Sequence, residues 1–189
     1  MGNLAYQSEY HEVKYELHDG KPVAMSPSPG MKHVTVADNI LTIFKKYLSG
    51  KPCKVFSQLN VYLSKKDHFI PDAMIVCNKE IIKHNGIYGA PDLVVEVLSP
   101  STSNYDRKYK KKIYEKSGVR EYWLVETNGE SIEVYLSGEN GLELTRVYSI
   151  YPDWMIEEMT EDEKKAVIYE FTPSMFPDMK INIEEVFEY

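Results

Sequence analysis

The stretch Gly89–Ser117, GAPDLVVEVLSPSTSNYDRKYKKKIYEKS, decides how the rest of the chain is arranged. Pro91 to Leu98 is a nearly unbroken run of Leu and Val, the pattern of a central strand covered on both faces. An acid, Glu96, stands in its apolar middle. A Ser/Pro/Thr turn follows, and Ser103 to Ser117 reads as a helix. Ser103 and Asp106 fit the S-x-x-D capping pattern, and Gly118 is a natural C-terminal stop.

Upstream, Val13 to Met25 places Asp19-Gly20 between two short segments and predicts an N-terminal β-hairpin. Ser26-Pro27-Ser28-Pro29-Gly30 breaks the chain. From Met31 to Leu48 apolar residues recur at three-to-four spacing, an amphipathic helix that Gly50-Lys51-Pro52 stops. Cys53 to Leu63 and Phe69 to Cys77 read as antiparallel neighbours. Pro71 cannot donate to a ladder, so it belongs at a strand's beginning or at a bulge, with Asp72 near the mouth of the sheet. Asn78 to Ala90 reads as a loop containing a helical turn.

Downstream, Glu121–Glu126, Asn128-Gly129 and Ser131–Leu136 carry a strong hairpin signal, and Leu142 to Tyr148 adds a strand. Tyr151 to Lys165 is acidic and without a motif. Val167 to Phe171 reads as a strand and Ile183 to Phe187 as a short terminal helix. This order predicts an α/β fold, a mixed central sheet flanked by helices with an N-terminal hairpin.

A chain of 189 residues, 43% hydrophobic, suits one domain spanning 1–189. A net charge of -7 argues against a basic coat over the whole surface, although a local basic patch still acts over about 10 Å. Cys53 and Cys77 form no CxxC or Cys/His cluster, so free thiols and a reduced, cytoplasmic setting are expected. Met1 to His11 has no signal-peptide character, and nowhere do ~18 apolar residues run together, so no membrane partner is expected.

An ionised Glu inside an apolar strand loses hydration worth several kcal/mol, and needs a cation, a metal or a proton. A structural salt bridge is the plain reading of Glu96. A second acid nearby would change it. Asp92 shares its strand and face but stands four residues away, about 13 Å at ~3.3 Å per residue. Asp72 comes from a separate strand, and opposed residues on paired strands come within about 5 Å. Geometry therefore prefers Asp72 with Glu96, a pair whose repulsion Mg²⁺ or Mn²⁺ would relieve. On the helix after Glu96, Tyr105, Tyr109, Ile113 and Tyr114 share a broad face, and Lys110 is the lysine nearest to it. Lys108, Lys111 and Lys112 point farther outward. With Arg107 they are either a solvated face or phosphate contacts.

Pro71-Asp72 followed by Glu96 on the next strong strand resembles the PD-(D/E)XK nuclease superfamily, although Leu98 stands where the superfamily lysine would follow the second acid. The run YELHDGKPVAMSPSP, FIPDAMIVC, GAPDLVVEVLSPST, DRKYKKKIY and GVREYWLVE resembles one branch, the Uma-type restriction-endonuclease-like bacterial proteins. The resemblance covers roughly Tyr15 to Tyr135. It implies a restriction-endonuclease-like fold, and a lysine moved to the following helix at Lys110, with Asp106, Arg107 and Tyr114 as its neighbours in a D-R-x-x-K-x-x-x-Y pattern.

What the resemblance implies about function is a metal-dependent endonuclease acting on DNA. Asp72, Glu96 and the Val97 carbonyl would hold Mg²⁺ or Mn²⁺, and Lys110 would position water or steady charge. A homodimer is expected by analogy. The competing class is a catalytically inactive nuclease-fold module that binds nucleic acid or a protein; a hydrolase of smaller phosphate esters is a third. Glu16 is an accessory acid candidate, set against a surface or turn role. His33 is a phosphate-contact candidate, set against a satisfied or solvent-facing histidine. Tyr122 and Trp123 are expected in the core, with base stacking as the alternative.

Overall fold

The computed structural model describes residues 14–25, 29–100 and 102–189. Three strand groups run through it: a six-stranded sheet, a second six-stranded sheet and a two-stranded ribbon. Helix α1 (Met31–Leu48) occupies the span its periodicity predicted, with Val36, Ile40, Leu41, Phe44 and Leu48 buried. The hairpin also forms, as β1 (Tyr15–His18) and β2 (Lys21–Ala24). Its turn residues Asp19 and Gly20 have φ of 49° and 78°, the left-handed values an Asp-Gly turn supplies. Val13, at the expected start of that hairpin, and Ser26–Ser28 of the expected break lie outside the described residues.

The central sheet is built from β3 (Lys54–Phe56), β6 (Ala73–Val76), β9 (Leu93–Val97), β10 (Glu121–Glu126), β11 (Ser131–Gly138) and β12 (Gly141–Ser149), in the order β12-β11-β10-β9-β6-β3. Only β9 and β10 pair in parallel within it. All five residues of β9 are buried, because both of its faces are covered. Leu93, Val95 and Val97 pack with the buried side of α1, whereas Val94 and Leu98 pack with Tyr114, Tyr122 and Leu124 on the other face. That two-sided burial is why the run lacks polar alternation. Tyr122 and Trp123 are fully buried, one on each face, which rules out stacking on a base.

Two expected strands instead divide between sheets. Cys53–Leu63 breaks at Gln58, whose φ is 51°; β3 joins the central sheet and β4 (Val61–Tyr62) joins the second. Phe69–Cys77 breaks at Pro71, leaving β5 (His68–Phe69) in the second sheet and β6 in the central one. The antiparallel pairing holds in both halves, β3 with β6 and β4 with β5. The loop expected over Asn78–Ala90 is more ordered: a 3₁₀ turn (Lys79–Ile81) leads into the hairpin β7 (Ile82–Lys83) and β8 (Gly86–Tyr88). The second sheet runs β2-β1-β5-β4-β8-β7, so the N-terminal hairpin extends it.

Two further expectations are corrected. Cys53 and Cys77 are joined in a disulfide. They flank the antiparallel pair β3–β6, one step beyond the registered partners Lys54 and Val76, and so face each other. The bond removes free thiols as an argument for a cytoplasmic setting, since disulfides persist mainly in oxidising compartments. The helix after Glu96 starts differently too. Asn104, at its cap position, makes no side-chain cap bond. Ser99 accepts the Thr102 N–H at its hydroxyl and the Ser103 N–H at its carbonyl. Tyr105–Lys110 forms a π-helical turn, and α2 (Lys111–Ser117) continues it to Gly118, whose φ is 93°.

The remaining chain forms α3 (Asp153–Glu158), α4 (Glu161–Ala166), β13 (Glu170–Phe171), β14 (Ile181–Asn182) and α5 (Ile183–Val186). Among the described residues no helix is long and apolar enough to cross a membrane.

Candidate functional site

Where the chain crosses from β5 to β6, the two sheets bring their acids together. Ala73 opposes Val95, so the register carried one residue further sets Asp72 across from Glu96. Asp72 is held at both oxygens: Oδ2 accepts the Val97 N–H at 2.8 Å, and Oδ1 lies 3.1 Å from His33 Nε2. His33 comes from the first turn of α1, so it is neither a surface residue nor free of the acids. The Asp72 hydrogen bond and charge outweigh the lowering effect of burial and raise its pKa.

Glu96 is 5% exposed and shares Oε1 between Lys110 Nζ at 3.2 Å and the Tyr114 hydroxyl, which donates at 2.8 Å. The lysine chosen by helix geometry does lean over the sheet, for a reason beyond that geometry. In the π-helical turn Lys111 N–H reaches the Asp106 carbonyl, five residues back, a widening frequent at functional sites. The inward stripe is Asp106, Lys110 and Tyr114, whereas Tyr105, expected on the apolar face, is 49% exposed.

Lys110 Nζ lies 2.9 Å from Glu16 Oε1, 3.2 Å from Glu96 Oε1 and 3.3 Å from Asp106 Oδ1. Glu16 is therefore no surface residue. It points inward from β1, is 5% exposed, and accepts the Ile70 N–H at 2.9 Å, with His18 Nε2 2.9 Å from its other oxygen. Burial pushes the Glu16 carboxyl up, but His18, Lys110 and the Ile70 N–H together bring it down to about 2. Burial acts on Glu96 with the opposite outcome. Lys110 opposes it, while Asp106, Glu16 and Asp72 add to it, and Glu96 stays well above the carboxylate range. Asp106 is likewise raised by burial against the pull of Lys110 and Thr102. Burial alone would discharge Lys110, but Glu96, Glu16 and Asp106 keep it firmly protonated.

The electrostatic balance is one ammonium, paired with ionised Glu16, beside Glu96, Asp106 and Asp72. Asp106 Oδ1 is buried, and its partner is the Lys110 ammonium 3.3 Å away, an ion pair without hydrogen-bond geometry. Such a site favours a proton or a further cation. No three His, Cys, Asp or Glu among the described residues come together as a ready metal cage.

Arg107, grouped with the outward cations, instead pairs with Glu133 across the sheet. Lys108 and Lys112 do face solvent. Asp92 sits at the far end of β9 and accepts the Cys77 N–H at 2.7 Å, a structural role. Glu16 and Asp106 are the residues that sequence reasoning undervalued. Glu16 alternates with Tyr15 and Leu17 on a strand, a pattern that signals an inward acid once the strand is known to have a covered face.

The fold and site can be set against known proteins. The architecture is that of a restriction-endonuclease-like α/β protein. It superimposes with a TM-score of 0.70 on a crystal structure from Anabaena variabilis described as "a putative nuclease belonging to DUF820", at 20% identity, covering 94% of this chain and 91% of that one. The Uma2 family, described as "Putative restriction endonuclease", matches residues 3–164, and the chain belongs to it. It is also 29% identical over 151 residues to a protein of Synechocystis sp. named only as uncharacterised, spanning 78% of this chain and 73% of that protein.

Proposed function

We propose that this chain is a divalent-metal-dependent endonuclease that hydrolyses phosphodiester bonds in DNA. The observation that carries the reading is the β6–β9 register, which continued by one residue sets Asp72 across from Glu96, with Lys110 3.2 Å from Glu96. Membership of a family described as "Putative restriction endonuclease" supports the reaction class.

The residues fit a hard cation. The donors are carboxylate oxygens in acid excess, with Glu16, Glu96 and Asp106 sharing the single ammonium of Lys110. Mg²⁺ commonly takes only one or two carboxylates, filling its octahedron with water and substrate phosphate, so a full cage of protein ligands is not required. Asp72, Glu96 and the Val97 carbonyl would hold it. When bound, Mg²⁺ or Mn²⁺ supplies Lewis acidity toward a phosphoryl oxygen and toward water.

The chain's own groups do the positioning. His33 and the Val97 N–H fix both oxygens of Asp72; Tyr114 and Lys110 fix Glu96. Glu16, ionised down to about pH 2, keeps Lys110 charged. Lys110 then orients the attacking water or steadies the charge that grows on the phosphoryl oxygens. Cutting both strands of a duplex would suit a homodimer.

A second reading, a nuclease-fold module that binds without cutting, is favoured by one observation: Lys110 is only 5% exposed and enclosed by three acids. Cleavage assays on duplex and single-stranded DNA with Mg²⁺, Mn²⁺ or chelator separate the two. The endonuclease reading predicts metal-dependent cleavage lost in D72A, E96A and K110A while the fold persists by circular dichroism. Full cleavage by all three variants would overturn the site.

A further inference from the structure

Beside Asp72 the fold leaves a half-open cavity of about 290 Å³. Val34, Ala37 and Leu41 of α1 form an apolar wall, and His33, Asp38, Gln58 and Asp72 supply polar atoms, with His33 paired to Asp72. We infer that this cavity seats one nucleoside of the cut strand, next to the scissile phosphate, with Gln58 facing the edge of its base. The inference rests on the nuclease reading and names where that site grips its substrate.

Three properties select a nucleoside over other occupants. The volume lies just under the range of drug-sized ligand pockets and has room for one base with its sugar. An apolar wall facing polar groups suits a ring with a flat apolar face and hydrogen-bonding edges. Asp38 repels a phosphate here and accepts hydrogen bonds from sugar hydroxyls or base amino groups, while both oxygens of Asp72 are turned to His33 and the Val97 N–H. The phosphate is thereby left toward Glu96 and Lys110, and the neutral part of the nucleotide enters the cavity.

Gln58 is built for the polar edge. Its backbone is held by the N–H bond to the Pro71 carbonyl at 3.0 Å, one residue before Asp72, so the side chain and the acid share one rigid corner. Its amide both donates and accepts, as base-edge recognition needs. The side-chain contact it makes is with Lys14 Nζ, at 3.1 Å and exposed to solvent, an interaction cheap to exchange.

Val34 is 43% exposed at the rim, so Val34→Trp can fill the cavity without entering the core. Amide NMR of the full chain in chelator, titrated with deoxyadenosine, thymidine or inorganic phosphate, is paired with oligonucleotide cleavage kinetics in Mg²⁺. Either nucleoside should shift the Val34, Ala37, Ser57 and Gln58 amides, and phosphate should not. Val34→Trp should abolish those shifts and raise KM about tenfold or more with kcat retained, and Gln58→Ala should change the preference between the two nucleosides. Unmoved cavity amides in the wild type, or an unchanged KM in Val34→Trp, would overturn the inference while leaving the nuclease reading intact. Nucleoside shifts in a wild-type protein that never cleaves would uphold the cavity and sink the nuclease reading.

Discussion

Two glutamates lie buried on neighbouring strands of one sheet, and their surroundings differ. Glu121, on the face covered by α1, is 1% exposed and matched donor for lone pair: Trp123 Nε1 at 2.7 Å, the Ser174 N–H at 2.8 Å and the Ser174 hydroxyl at 2.6 Å. Burial raises its pKa, and those three donors oppose the rise. Glu96, on the opposite face, has Lys110 and Tyr114 but also Asp72, Glu16 and Asp106 within electrostatic reach. Glu121 ties the segment around Ser174 to the sheet and needs nothing more. The Glu96 cluster is over-supplied with acid, which is a poor way to build a core and a good way to leave room for a cation.

The comparison can be broken most forcefully at Lys110. Lys110→Met leaves three buried acids without their ammonium, so it should cost about 3–5 kcal/mol in urea unfolding at neutral pH, with the loss shrinking as pH falls and the acids protonate. A change as small as that of a surface lysine would show that the cluster is solvated.

Next in size are the pH limbs. The pKa of Glu16 is depressed from 4.5 to about 2, so its contribution is full above pH 4.5 and is lost as pH falls toward 2; Glu16→Gln should remove on the order of 3 kcal/mol of acid dependence. Glu96 is raised, so its contribution is present below the ordinary carboxylate value and is lost as pH climbs through the folded value. Metal-free Glu96→Gln should therefore hold its stability better than wild type as pH rises above 4.5. Thermal melts across pH, with and without chelator, read both limbs.

At the matched site, Glu121→Gln replaces one acceptor with a donor facing the Ser174 donors and should cost about 1–3 kcal/mol. It should leave the response to Mn²⁺ unchanged. The smallest effect is expected at Arg107, whose pair with Glu133 is part-exposed: Arg107→Ala should change stability by less than about 1 kcal/mol and leave DNA affinity as it was. A large drop in affinity would return Arg107 to the phosphate-binding role that the sequence suggested.

Local signals that agreed with their tertiary setting were legible. The periodicity of Met31–Leu48, the continuous Leu/Val run of β9, the Asp-Gly hairpin and the Gly118 stop each stand where local chemistry placed them. Strand spacing disfavoured Asp92 and preferred Asp72 as the partner of Glu96 if their strands were neighbours, and β6 and β9 are neighbours. What the sequence hid was long-range. Glu16 enters the cluster because the hairpin joins a second sheet, and no local pattern announces which sheet a hairpin will extend. Asp106, four residues before Lys110 on one helix, was legible as its neighbour; its S-x-x-D spacing hid only that it is buried rather than capping. The Cys53–Cys77 bond was open to inference, since both cysteines flank strands expected to be antiparallel neighbours, and a pairing across two strands needs no local cysteine motif.

Manganese binding measured by titration calorimetry tests the central contrast most directly. Wild type and Glu121→Gln should bind Mn²⁺ alike, whereas Asp72→Ala and Glu96→Gln, each correctly folded, should bind none. Equal binding by all four proteins, or none by the wild type, would contradict the assignment of Asp72 and Glu96 as a metal-holding pair.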